Sequence, residues 1–118
     1  MPTKKAQATP IDTLGRECEV SLELGQVVMT AALHHSAISE PLLWDYITLC
    51  VERHRSGDWG ELDPEDSEAN DRALTGGDRV FSSYPLPEHL VGTLAESKLW
   101  IITEWDRSST CILWPGDY

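Results

Sequence analysis

Basic residues are scarce in this chain, which has 118 residues with 9 Lys and Arg against 20 Asp and Glu and a net charge of −11. Proteins bind phosphate backbones by neutralising them with Lys and Arg, so this balance argues against direct binding of nucleic acid. It favours a partner with a basic surface, towards which an acidic protein is steered electrostatically. Many bacterial proteins are acidic without a special partner, and composition alone leaves both interpretations open.

Long apolar segments and paired cysteines are also missing. No apolar run approaches the ~18 residues that span a bilayer, so we expect no membrane-spanning helix. Residues 1–10 contain two lysines but no apolar segment behind them, and we therefore expect no signal peptide and a cytoplasmic location. Cys18, Cys50 and Cys111 lie far apart, which excludes a disulfide framework and favours small buried side chains in a reducing compartment.

The sequence lacks the motifs of the common catalytic sites. No serine lies in a G-x-S-x-G segment, and no glycine-rich motif could bind a phosphate. The adjacent His34 and His35 diverge on a helix, and together with His54 and His89 they have no metal-ligand spacing. We therefore predict a protein that is not an enzyme and that has no metal and no cofactor.

The chain is organised around an acidic stretch, Ser56–Asp71, which holds seven carboxylates and no Lys or Arg. It begins as a glycine-rich loop and continues as a helix that we expect to start with Asp63 as N-cap and Pro64 at the first position. A calcium loop needs ligands at alternate positions around a central glycine, but here Trp59 and Pro64 occupy the wrong places. We interpret these carboxylates as solvated groups or helix caps.

Trp59 lies between Asp58 and Gly60 in this loop, and its ring is too large and apolar to be left in water without a cost. Two interpretations follow. The ring either inserts into the domain and fixes the loop, or it anchors a partner. The same alternatives hold less strongly for Trp105, which flanks the last predicted hairpin and could extend an exposed aromatic patch.

Hydrophobic periodicity predicts one α+β domain over residues 16–118, after a flexible tail of residues 1–15. We expect an antiparallel sheet of three to five strands with two or three helices packed on one face. Residues 88–97 form a connection with room for one turn of helix. The predicted strands are Cys18–Leu24 with Gln26–Met29 as its continuation or hairpin partner, Arg79–Leu86, Lys98–Trp105 and Ser109–Trp114; the predicted helices are Ala31–Ala37, one opened by Pro41 and ended at Gly57, and one from Pro64 to about Leu74.

Several segments resemble a family of small bacterial proteins carried on plasmids, integrative elements and phages, whose members are labelled "plasmid-related protein" or "type I restriction endonuclease subunit M". The resemblance covers about Leu24 to Tyr118. It implies a mobile-element protein but no activity that can be assigned to particular residues. The segments are Gly57–Asp63, Asp66 with Glu68–Asn70, Arg79–Tyr84, Trp100–Thr110, Ile112–Leu113 and Asp117–Tyr118.

Two features depart from the pattern of that family, and one of its labels fails a physical test. The connection from Leu86 to Lys98 is longer, and Trp105 replaces a small residue, which implies an altered surface near the hairpin turn. A modification subunit needs a glycine-rich cofactor loop and an Asn/Asp-Pro-Pro-aromatic motif. This chain is too short for such a domain and has neither motif, so we reject methyltransferase activity.

Charge and family resemblance together lead to one hypothesis of function. We expect an accessory protein that binds the basic surface of a host nucleic-acid-binding defence protein and inhibits it, as anti-CRISPR and anti-restriction proteins do. The alternative is a non-catalytic accessory or stress domain without a defence target, built as a homodimer through its sheet edge or its tryptophans. The expected partner-binding residues are Asp58, Trp59, Glu61, Asp63, Glu65, Asp66, Glu68 and Trp105.

Overall fold

The computed structural model describes residues 22–118. The predicted tail of residues 1–15, Cys18 and most of the predicted strand Cys18–Leu24 lie outside the described residues. Residues 22–24, the described end of that predicted strand, have no regular secondary structure, and neither has Gly25. Gly25 ends this segment with φ = 62°, and a Cβ there would lie 2.4 Å from the carbonyl oxygens of Arg107 and Ser108.

Helices form where the sequence predicts them, and one more forms in the predicted connection. Thr30 caps the first helix by accepting from the Leu33 amide (3.4 Å), and Pro41 occupies the first turn of the second. Gly77, in the left-handed conformation, ends the third helix. The fourth helix has 7 residues and is longer than the single turn predicted in this connection. The helices are α1 (Ala31–Ser39), α2 (Pro41–Arg55), α3 (Pro64–Gly76) and α4 (Glu88–Leu94).

Four strands form a single sheet in the order β1-β4-β3-β2, which confirms the α+β class and the predicted number of strands. The strands are β1 (Gln26–Met29), β2 (Val80–Pro85), β3 (Lys98–Thr103) and β4 (Ser109–Leu113). Strands β2, β3 and β4 pair antiparallel as expected, and β3 is an inner strand. The first strand differs from the prediction because it pairs parallel to β4, in the register Gln26 to Ser109.

One face of the sheet carries the core. The strand register places Tyr84, Leu99, Ile101 and Ile112 on this face, and all are buried. They share a cluster with apolar residues of α1, α2 and α4, while α3 contributes to a second cluster around Val80 on the same face. The prediction that helices pack on one face of the sheet is therefore confirmed.

A chain of buried hydrogen bonds crosses this core beneath the end of α2. His54 is fully buried, with Nδ1 2.5 Å from Ser82 Oγ and Nε2 2.9 Å from Thr103 Oγ1. Thr103 Oγ1 lies 2.7 Å from Thr110 Oγ1, which in turn bonds to the Leu24 carbonyl oxygen at 2.7 Å. The chain thus joins α2 to three strands and to the segment that leads into β1.

The direction of these hydrogen bonds fixes the tautomer of His54. Thr110 uses its single hydroxyl proton on the Leu24 carbonyl, so Thr103 must donate to Thr110. Thr103 then has only a lone pair to offer His54, which must carry its proton on Nε2, and Ser82 donates to the bare Nδ1. Every group is satisfied only when the imidazole is neutral.

Burial, with a smaller contribution from the Arg107 charge, lowers the pKa of His54 from 6.5 to about 4. A group whose pKa is depressed by folding binds its proton more tightly in the unfolded chain. Its contribution to stability is therefore complete above pH 6.5 and is lost as the pH falls towards 4. We expect the free energy of unfolding to drop over this range by on the order of 3 kcal/mol, measured by urea denaturation at a series of pH values.

The control for this prediction is His54→Gln, which removes the titrating group. It should be less stable than the wild type at neutral pH, but its stability should not show the same fall between pH 6.5 and 4. Equal slopes in the two proteins would contradict the assignment to His54.

Candidate acidic interface

Trp59 fills the gap between α2, α3 and the sheet. Its side chain is 5% exposed and belongs to the core cluster of Leu22, Ala73 and Val80. The ring meets His54 edge-on, with centroids 5.8 Å apart, and its Nε1 donates to Asp71 Oδ1 at 3.1 Å. Of the two interpretations of Trp59, insertion into the domain is confirmed, because the ring is inside the protein and its one polar atom has a partner. The side chain is not exposed as an anchor.

The loop that carries Trp59 is bonded to the edge of β2. Ser83 donates its amide to the Trp59 carbonyl (3.1 Å), and Glu61 donates its amide to the Ser83 carbonyl (2.7 Å). Gly60 has φ = 75°, and a Cβ there would lie 2.1 Å from the Ser83 carbonyl oxygen, so only glycine fits. The Tyr84 hydroxyl adds a bond to the Asp58 carbonyl at 2.6 Å.

A buried asparagine fixes α3 to the same strand. Asn70 donates Nδ2–H to the Phe81 carbonyl (2.6 Å) and accepts from the Phe81 amide with Oδ1 (3.1 Å). Its side chain thus replaces a neighbouring strand at that position of the β2 edge. The sequence does not indicate this role for Asn70, because an asparagine within a helix usually faces water.

These contacts fix the loop and the first half of α3, which together carry six exposed carboxylates. We call them the acidic ledge: Asp58, Glu61, Asp63, Glu65, Asp66 and Glu68. Asp63 has the backbone conformation of an N-cap but makes no capping hydrogen bond with its side chain. Within residues 22–118, Glu61, Asp63, Glu65 and Asp66 form no ion pair. Four carboxylates within six consecutive residues therefore face solvent without a neutralising neighbour among residues 22–118.

The other two members of the ledge lie beside the protein's own arginines. Asp58 accepts from Arg53 Nε at 2.7 Å and from Arg53 Nη2 at 3.3 Å, and this pairing lowers the pKa of the Asp58 carboxyl. Glu68 lies 3.7 Å from Arg72 one helical turn on, but both side chains are more than 70% exposed. Such a pair is weak in water and could exchange its partner readily. The negative centre of the ledge is thus Glu61–Asp66.

Trp105 is 64% exposed in the turn between β3 and β4, and it lies apart from the ledge. Arg107, two residues further on, holds this turn against the other end of α3, where it donates to the carbonyls of Ala73 (2.7 Å) and Asp78 (2.6 Å). Since Ala73 lies seven residues beyond Asp66 in α3, about 10 Å of helix separates the acidic residues from this contact. The structure does not bring Trp105 and the acidic centre together.

Residues 22–118 contain no group of three or more His, Cys, Asp or Glu placed to hold a metal ion. Cys50 is buried as predicted, and burial raises its pKa to about 11, which leaves it as an unreactive thiol. None of the described helices is long and apolar enough to cross a membrane.

Replacement of the buried Trp59 should lower the stability of the protein far more than replacement of the exposed Trp105. We expect Trp59→Ala to lower the free energy of unfolding by about 3–5 kcal/mol, because it leaves a cavity and an unpaired Asp71. Trp105→Ala is the matched control and should change stability by no more than about 0.5 kcal/mol. Urea denaturation measures both. Equal losses in the two variants would contradict the inserted position of Trp59.

Comparison with known proteins adds no family to this description. No protein-family model, no curated protein sequence and no solved structure matches this chain.

Proposed function

We propose that this protein binds and inhibits a host nucleic-acid-binding defence complex by occupying its basic nucleic-acid channel with the acidic ledge. The observation that carries the proposal is the set of four exposed carboxylates, Glu61–Asp66, without an ion pair to any described residue. The resemblance to mobile-element proteins supports the choice of a defence complex as target. The location consistent with this function is the bacterial cytoplasm.

The fixed backbone of the ledge supports this proposal. A surface that imitates a phosphate backbone loses least free energy on binding if its charges are already in place. Here the inserted ring of Trp59, the strand-like bonds at Ser83 and the Asn70 amide hold the loop and α3 against β2. The carboxylates therefore project from ordered backbone on both sides of Pro64.

The overall charge of the protein supports the same kind of partner. A net charge of −11 attracts a basic channel over a distance and repels nucleic acid, which is the competitor for that channel. Electrostatic complementarity of this kind raises the association rate and suppresses wrong partners. We expect binding to weaken with added salt, since the ledge is exposed and screened by ions.

Reversal of charge at the centre of the ledge should abolish binding. The double variant Glu65→Lys with Asp66→Lys changes the net charge by four units and places two cations at the start of α3. We expect affinity capture from host cells, followed by mass spectrometry, to recover a nucleic-acid-binding defence protein with the wild type and not with this variant. Added DNA or RNA should compete for the captured protein.

The matched control is Asp45→Lys with Glu88→Lys, which changes the net charge equally at exposed positions on α2 and α4. It should retain capture of the same protein at low salt. The proposal fails if the ledge variant captures the defence protein as well as the control does, or if the wild type captures none.

A further inference from the structure

The two edges of the sheet differ in how they are closed. At β2, the side-chain amide of Asn70 is hydrogen-bonded to the backbone N–H and C=O of Phe81, and the loop around Gly60 pairs with Ser83. Strand β1 forms the opposite edge, and β4 is its only strand partner within residues 22–118. Exposed strand edges are templates for pairing with another chain, and proteins normally block them.

Two residues of β1, Val27 and Met29, direct their backbone N–H and C=O groups away from β4. Gln26 donates its amide to the Ser108 carbonyl (3.0 Å), and Thr30 donates its amide to the Ile112 carbonyl (3.1 Å). Backbone groups alternate in direction along a strand, so the amides and carbonyls of Val27 and Met29 point away from β4. These are the groups that a further strand would bind.

The side chains of β1 do not protect this edge. Val27 is 46% exposed and Val28 40% exposed, and the strand contains no charged residue and no proline. Natural edge strands commonly carry lysine, proline or a bulge that discourages pairing. Strand β1 has the opposite composition, two β-branched residues that favour a sheet.

The surface around β1 is also the part of the chain without fixed charge. Residues 24–39 contain no Asp, Glu, Lys or Arg and form the longest such segment in a protein of net charge −11. The carboxylate of Asp117 comes near the end of β1, but it accepts from Thr30 Oγ1 (2.7 Å) and the Trp114 amide (3.2 Å). A second copy can therefore approach here without carboxylates facing each other. The exposed residues of α1, the helix that follows β1 in the chain, are Ala31, Ala32, His34, His35, Ile38 and Ser39.

We propose that β1 pairs antiparallel with β1 of a second copy of this chain. A two-fold axis at Val28 sets the two Val28 side chains opposite each other and places Val27 opposite Met29 of the second copy. Each Val27–Met29 pair then exchanges two hydrogen bonds between outward backbone groups. The interface is isologous and closed, and it joins two four-stranded sheets into one.

The pairing is tested with Val28→Lys, which places two like charges directly opposite each other at the axis but keeps the amide bonded to β4. Sedimentation equilibrium of the full wild-type chain should give a mass that rises with concentration towards twice 13.2 kDa. The variant should have a dissociation constant at least about tenfold higher. The matched control is Leu49→Lys, at an α2 side chain 54% exposed, and its dissociation constant should equal that of the wild type.

Hydrogen exchange gives a second, local measurement. The amides of Val27 and Met29 should exchange more slowly as the wild-type concentration rises, and should stay unprotected in Val28→Lys, with circular dichroism confirming that the variant is folded. The proposal is overturned if the wild type stays monomeric at its solubility limit, or if Val28→Lys self-associates like the wild type. Equal weakening by Leu49→Lys would also overturn it. Neither variant alters the acidic ledge, so failure here leaves the proposed function standing.

Discussion

The hydrogen-bond chain through His54 is the constraint on which the rest of this fold depends. Its members come from α2, β2, β3 and β4, and it ends on the Leu24 carbonyl, where the chain enters β1. A buried polar chain of this kind is stabilising only if each donor meets an acceptor. That condition fixes the position of α2 over the sheet and the direction from which β1 joins it.

The acidic ledge depends on this chain through one aromatic contact. His54 packs against the edge of the Trp59 ring, and Trp59 fixes the loop that presents Asp58 and Glu61. Mutual repulsion among the carboxylates opposes folding, and the buried contacts of Trp59 offset it. The position of the exposed carboxylates therefore depends on buried packing, since Trp59, which fixes the loop, lies between Asp58 and Glu61.

The sequence predicted best those features that are local. The buried positions of α2, Leu43, Ile47 and Cys50, follow from their spacing, and the inner position of β3 follows from its apolar residues on both faces. Parallel pairing of β1 with β4 was not predictable, because the partners lie far apart along the chain. His54 shares the helical spacing of these buried α2 positions, but its hydrogen-bond partners come from two strands. Arg107 bonds to backbone carbonyls, which leave no pattern in a sequence.

The effect of added salt distinguishes the two interactions proposed for this protein, self-association through β1 and binding of a basic partner through the acidic ledge. Two copies of net charge −11 repel each other wherever they meet, and added ions screen that repulsion within a Debye length of about 8 Å at physiological ionic strength. Pairing through the uncharged β1 loses no ion pair when salt is added, so self-association should strengthen. Binding of a basic channel to the acidic ledge depends on attraction and should weaken under the same conditions. A single surface serving both interactions could not respond in opposite directions.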